Sequence, residues 1–398
     1  MTFSLIGFFT ILLIGAIYHK YSNAPMMHAI GLLYFLFAVS YVWLLNYLSR
    51  VWDKNQSNTT DYFIDTSQCT LLVPFRNEEK NLRLLLNNLS AHLPVNSEVV
   101  FIDDHSEDSG AAKVALFIKE SAQAKWRLIR NKGEGKKAAL ATGINACKSA
   151  IIVTTDADVE VPDGWLESIV SPFRNPTIQL VAGPVMTTSG AVLFSRFQQI
   201  EWASLILISY ISFAKGNPLM CSGANLAFRR AAFYAVGGYQ GNSHLLSGDD
   251  EFLLKKITAR YGAAGMVYLK TASSLVTTHL LKSPGEWMLQ RARWASKWNA
   301  HKGQSHWLSA FILAIFCLLL LGSIPLALLS RELALGMLLF WAIRFMAEKQ
   351  ALGKVLDHYG LNASNKSWFL SGWIYPIMVL ASLPLAIFGK YTWKGRKN

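Results

Sequence analysis

The chain has 398 residues, 52% of them hydrophobic and 16% charged, with a formal net charge of +13. That length allows about two or three domains, and the positive charge sits beside the apolar runs instead of forming one patch with interleaved aromatics, which argues against nucleic-acid binding. Cys69, Cys147, Cys221 and Cys317 lie far apart with no Cys-x-x-Cys pair and no His at metal-ligand spacing, which supports neither a disulfide framework nor a zinc site and suits a reducing compartment.

The first elements in chain order are two apolar runs, residues 3–18 and 29–48. No basic residue precedes the first and no small-residue cleavage site follows it, so the expectation is half of a membrane hairpin and not a secretory signal. Between Arg50 and His306 no stretch is long and apolar enough to span, and turn residues and charges recur, as in a globular domain. Residues 307–329 and 368–388 again reach the roughly 20 residues of a bilayer crossing. Residues 333–346 are shorter and carry Arg344, so they cross at a tilt, pack against neighbours or lie in the interface.

The division expected is two N-terminal helices in 1–50, a catalytic domain in 51–303, and two or three helices with a basic tail in 304–398. Arg50, Lys54, Lys282, Arg291, Arg293 and Lys297 place that domain on the cytoplasmic side. Three crossings after it would leave Lys390, Lys394, Arg396 and Lys397 outside, against the same tendency, and two would leave them inside.

From residue 68 onward strand-like and helix-like patterns alternate: 70–74 then 79–89, 98–102 then 110–121, 126–129 then 136–147, and 151–155. Such alternation predicts a mainly parallel sheet wound by crossover helices, with ligands gathering at the strand ends. After the first strand comes Pro74-Phe75-Arg76-Asn77-Glu78-Glu79, a grip for a base or ribose and also a helix start with Asn77 as cap. After the second comes Asp103-Asp104-His105-Ser106, where Asp104 can accept hydrogen bonds from a nucleoside and Ser106 and Asp108 can cap the next helix. Gly133-Glu134-Gly135-Lys136-Lys137 opens the third helix with exposed amides and a positive charge for an anion. The fourth strand ends in Asp156-Ala157-Asp158, two carboxylates on one small spacer where a divalent cation and a diphosphate can meet.

Further on, Asn225 stands among small residues in Cys221-Ser222-Gly223-Ala224-Asn225, either a surface for a donor sugar or a tight loop packed on the core. Gly248-Asp249-Asp250-Glu251 puts three acids at a helix start, where acids serve the dipole and where a carboxylate could take a proton from an acceptor. The segment from Trp287 to Trp298 reads as an amphipathic interfacial helix, which leaves Gln290 unexplained.

In this order the motifs resemble those of membrane-bound family 2 glycosyltransferases, the group of cellulose synthase, hyaluronan synthase, poly-N-acetylglucosamine synthase and ceramide glucosyltransferase. The resemblance covers about residues 70–298. It implies a GT-A catalytic domain, an α/β Rossmann-like fold with a mainly parallel sheet, flanked by transmembrane α-helices. It further implies a nucleotide-sugar pocket lined by Pro74, Arg76, Glu78, Asp104 and Lys136, with Asp156 and Asp158 as the Asp-x-Asp pair holding Mg²⁺ or Mn²⁺. Asp250, beside Asp249, takes the place of the general base in the family's Thr-Glu-Asp motif, although the threonine is lost here. Gln290, Arg293 and Trp294 match Gln-x-x-Arg-Trp.

The activity implied is inverting transfer from a UDP-hexose or UDP-N-acetylhexosamine to a hydroxyl of a growing polysaccharide or of a membrane lipid. It would take place at a bacterial inner membrane with the domain in the cytoplasm. A processive synthase, a single-addition glycolipid synthase and an inactive scaffold are the three expectations to separate, and the intact acidic set speaks against the last.

Overall fold

The computed structural model describes residues 25–54, 66–121, 124–188, 190, 192–241, 248–295, 305–328, 331–388, 392–393 and 396–397. The expected crossing at 3–18, Lys297, Trp298 and the tail residues Lys390 and Lys394 lie outside them, as does the 303/304 boundary.

Helix α1 is Pro25–Lys54. The alternation that follows is β1 Cys69–Phe75, α2 Glu79–His92, β2 Glu98–Asp103, α3 Gly110–Glu120, β3 Trp126–Arg130, α4 Lys136–Ala146 and β4 Ile151–Thr154. These strands are parallel, β1 between β2 and β4 with β3 outside β2. The winding direction therefore reverses between β1 and β4, the crevice where open α/β sheets bind ligands.

The chain goes on through β5 Val159–Glu160, α5 Trp165–Val170, β6 Leu180–Ala182, β7 Val185–Thr187 and the long helix α6 Leu193–Ala214. Then come β8 Leu226–Arg229, α7 Arg230–Ala235, α8 Asp249–Tyr261, β9 Met266–Tyr268, β10 Val276–Thr278 and α9 Pro284–Ala295. The main sheet runs β3-β2-β1-β4-β8-β6-β9, and β5, β10 and β7 form a small second sheet. Strand β8 is antiparallel to both β4 and β6.

Strand alternation divides the core in two. Leu71, Val73 and Phe75 pack with Leu82, Leu85 and Trp165 on one face, while Leu72, Val100 and Ile102 pack with Leu140, Ile144, Leu253 and Ile257 on the other. Burial on both faces is why these strands read as continuous apolar runs.

After α9 come α10 Ser305–Ala327, α11 Arg331–His358 and α12 Asn365–Phe388. Helix α6 of the sheet region packs against α1, α11 and α12. Among the described residues, Ala29–Lys54 and Asn365–Ala386 are long and apolar enough to cross a membrane, and Phe311–Ala327 is a shorter apolar helix. Residues 333–346 fall within the 28-residue α11, where the buried Arg344 donates to Glu348 at 2.7 Å and to the Gly372 carbonyl at 3.0 Å. The Tyr41 hydroxyl adds a bond of 2.6 Å to Glu348. Of the alternatives open for this run, packing against neighbours is the one observed: the guanidinium is satisfied between helices.

Candidate active site

The strand-end loops are tied to one another by their own side chains. Asp108 accepts from the Glu79 amide at 2.9 Å and from the Gly110 amide at 2.9 Å, so a single carboxylate serves the starts of both α2 and α3. Asn77, expected as the α2 cap, instead accepts from the Glu107 amide at 2.8 Å. Asn77 and His105 both have positive φ, +52° and +59°. Non-glycine residues held there mark loops that the surrounding contacts determine.

Arg76 lines the cavity, its guanidinium donating to the Asp104 carbonyl at 2.9 Å, to the His105 carbonyl, and to Glu107 at 2.8 Å. Asp104 is buried and accepts from Asn131 at 2.7 Å and from the Gly135 amide at 3.0 Å, thereby shaping the loop that presents Lys136.

The centre of the site is an ionic cluster drawn from three segments. The Lys136 ammonium lies 2.6 Å from Asp156 and 3.2 Å from Asp249. Burial acts to lower the Lys136 pKa, but Asp156, Asp249 and Asp250 outweigh it, and the net shift is upward, which keeps the amine charged. Asp250 accepts from the Gly223 amide at 3.1 Å and from the Glu251 amide at 2.7 Å. Glu251 pairs with Lys255 at 2.6 Å.

Gly223 is needed for closeness: a Cβ there would sit 2.7 Å from the Asp249 carboxylate and 3.1 Å from the Lys136 ammonium. Gly248, at φ +84°, supplies the left-handed entry that turns all three acids into the first turn of α8. The small residues around 223 thus have a backbone reason, while the side chain among them has another.

Asn225 is fully buried. It donates to the carbonyls of Pro184 at 2.8 Å and Ser274 at 2.7 Å, and accepts from the Trp165 indole at 3.0 Å. It stands behind the wall as a strand connector, not in the cavity, and the tight-loop alternative is the correct one. Glu78 is likewise buried, accepts from Asn81 at 2.7 Å, and is not among the residues lining the cavity.

The other expected residues come together. Pro74, Arg76, Asp104, Lys136, Asp156, Asp158, Asp249, Asp250, Gln290, Arg293 and Trp294 line one cavity of about 1160 Å³. Beyond Trp294 the same cavity continues past Leu205 and Ile208 of α6 to Leu313 of α10 and Tyr375, Val379, Leu383 and Ala386 of α12.

Among the described residues no group of three or more His, Cys, Asp or Glu is placed to hold a metal alone. Asp156 and Asp158 still offer the hard oxygen pair that Mg²⁺ or Mn²⁺ uses when substrate phosphates and water complete its shell. The donor set fits such an ion.

Sequence motifs missed Glu201 of α6. It is buried and accepts from Nε and Nη2 of Arg291, one guanidinium edge, at 2.7 and 2.5 Å and from the Trp287 indole at 2.6 Å. The available signal was an acid on an otherwise apolar helix.

Residues 70–237 match the family described as Glycosyl transferase family 2. A pre-mycofactocin glycosyltransferase of Mycobacterium tuberculosis is 26% identical over 196 residues, 46% of this chain and 37% of its own length. An undecaprenyl-phosphate 4-deoxy-4-formamido-L-arabinose transferase of Pseudomonas savastanoi is 30% identical over 105 residues, 26% of this chain and 31% of its own. The chain thus spans roughly a third of the length of these curated relatives. Among solved structures, the mannosyltransferase PcManGT of Pyrobaculum calidifontis, in complex with GDP-Man and Mn²⁺, aligns at a TM-score of 0.55 and 17% identity, covering 92% of this chain and 99% of that one. Its likeness is one of fold. The chain carries a family 2 glycosyltransferase domain on a GT-A fold.

Proposed function

We propose that this protein is an inverting, membrane-associated glycosyltransferase that moves a sugar from a nucleoside diphosphate donor to an acceptor carried on a lipid. The observation that carries the reading is the continuity of the cavity, from the strand-end carboxylates to the apolar faces of α10 and α12. A water-soluble acceptor has no use for that apolar arm. The names of relatives agree, one being an undecaprenyl-phosphate transferase and another a dodecaprenyl-phosphate galacturonate synthase.

In this reading the diphosphate lies across the β1/β4 crevice, close to Lys136 and Arg293. A divalent cation, Mn²⁺ in the solved mannosyltransferase, would be held by Asp158 and Asp156 and neutralise charge on the departing diphosphate. The acceptor oxygen attacks the anomeric carbon from the side opposite the leaving group. The bond from that carbon to the diphosphate oxygen breaks as the new C–O bond forms, which inverts the centre. When the nucleophile is a hydroxyl, Asp250 receives its proton. The backbone amides of Gly223 and Glu251 fix its carboxylate, so the base is oriented before substrate arrives. Asp249 is held back from that duty by its ion pair with Lys136.

We assign the apolar segments within 1–50 and 304–398 to the membrane, and the domain between them to its cytoplasmic side, on the basic flanks described above. Purified protein in lipid nanodiscs, supplied with a panel of labelled nucleotide sugars, tests the assignment. Label moving into a chloroform-soluble product bearing one sugar supports it, and a water-soluble polymer replaces it with a processive synthase.

A further inference from the structure

Helix α9 carries Gln290, Arg293 and Trp294, and Arg291 of the same helix donates to Gln290 at 3.0 Å, but the rotation of the helix as a whole is fixed from outside it. The fixing comes from α6. Positions 194, 197, 198, 201 and 202 are three or four apart and share one side of that helix. Gln198 both donates to and accepts from the Leu281 backbone, at 3.0 and 2.9 Å, and so holds the approach to α9. One turn later Glu201 grips Trp287 and Arg291. Trp202 meets Trp294 edge to face at 6.0 Å, and the Arg291 guanidinium lies over the Trp294 ring at 4.0 Å.

We propose that Glu201 is a positioning residue for sugar transfer: through Arg291 and Trp287 it sets the rotation of α9 and thereby presents Gln290, Arg293 and Trp294 to the cavity. The inference rests on the transferase reading above. A buried ion pair is weak evidence of stabilisation, because desolvating two charges offsets most of their attraction. Its better use is to select one arrangement among several. Bidentate guanidinium geometry has that selectivity, since a rotation of α9 breaks both bonds at once. Both oxygens of the carboxylate, at the cavity wall, are engaged by α9 side chains.

The test is a double-mutant cycle between Glu201→Gln and Arg293→Lys, read as kcat and donor KM per folded molecule. Glu201→Gln keeps the volume and an acceptor for Trp287. It is expected to lower kcat at least tenfold with donor KM within threefold, and Arg293→Lys is expected to cost at least fivefold less in that background than in the native protein. Strict additivity, or a kcat within twofold of native, overturns the proposal. Amide hydrogen exchange over residues 287–294 supplies a readout independent of turnover. At least tenfold faster exchange in Glu201→Gln is expected, with β1 to β4 unchanged, and equal protection overturns the proposal. If the native protein transfers no sugar, the transferase reading fails while the exchange result still decides what Glu201 holds. Should Glu201→Gln not fold, Arg291→Lys takes its place in both measurements.

Discussion

Asp156 at the end of β4 and Asp249 in the first turn of α8 share one ammonium group, that of Lys136, at 2.6 and 3.2 Å. The Asp-x-Asp pair and the acidic turn are thereby held together before any donor is present. Lys136→Met removes the shared cation and sets two buried or half-buried carboxylates against each other. Transfer should fall by about 10- to 100-fold, and affinity for the nucleoside diphosphate should weaken, since a charged hydrogen bond is worth about 1.5–3 kcal/mol. Titration calorimetry with the nucleoside diphosphate checks the second part, and unchanged affinity would place Lys136 outside the donor site.

Asp158→Ala removes one of the two carboxylates facing the cavity, and Asp156→Asn neutralises the other. Each should cost about 10²-fold or more in turnover, the scale of losing one preorganised group at a developing charge. In the native protein a chelator should abolish transfer, with Mn²⁺ or Mg²⁺ restoring it. Chelator-resistant transfer would exclude the cation from the reaction.

Asn225→Ala is expected to damage the fold and spare the chemistry. It strands the Trp165 indole N–H and the Pro184 and Ser274 carbonyls in a fully buried place. Unsatisfied buried groups cost about 1–3 kcal/mol each before relaxation. Thermal unfolding should shift downward by several degrees with kcat per folded molecule unchanged, and a selective loss of donor affinity would return Asn225 to the site.

Lys270 gives the docking of the sheet region onto α1 a pH signature. Its buried ammonium donates to the Trp52 carbonyl at 2.5 Å and lies 4.3 Å from the Trp52 ring. Burial pushes its pKa below the usual 10.5, with Asp53 pulling the other way. A lysine whose pKa is lower folded than unfolded binds fewer protons when folded. Its cost is then fully present at low pH and relieved as pH rises from the folded value to the unfolded one. The unfolding midpoint of the native protein should therefore gain on that of Lys270→Met as pH rises toward the ordinary lysine value of about 10.5. A native midpoint that falls relative to that of Lys270→Met over that range contradicts the burial argument.

The first four strands and their helices were legible because each is a local pattern: apolar runs of strand length, helical spacing and turn residues between them. The observed β1, β2, α3, β3, α4 and β4 begin and end within one residue of the sequence reading, and α2 runs three residues further at its C-terminal end. The β8 insertion between β4 and β6 was not legible, since antiparallel pairing across distant segments leaves no local trace. Among site residues, those in loops following strands could be placed because the topology sends strand ends to one crevice. Asn225 misled because a buried amide that joins three backbone segments and one that binds a sugar sit among the same small neighbours. Glu201 was silent for the opposite reason. Its partners Trp287 and Arg291 lie far along the chain, and only their meeting in space makes the acid meaningful. Arg344 shows the same limit, its meaning set by Glu348 and Tyr41.

The central claim is that donor and lipid-borne acceptor meet in one cavity with Asp250 at the acceptor oxygen. Its most direct test compares native protein and Asp250→Asn in nanodiscs, with a labelled nucleotide sugar and either a polyprenyl phosphate or a hydroxyl-bearing lipid as acceptor. Native protein should yield a chloroform-soluble product carrying one inverted sugar. Asp250→Asn should lose about 10²-fold or more with the hydroxyl lipid, and far less with the phosphate, whose oxygen needs no base at neutral pH. No label in the lipid phase with any donor, or a full loss that is the same for both acceptors, would contradict the account.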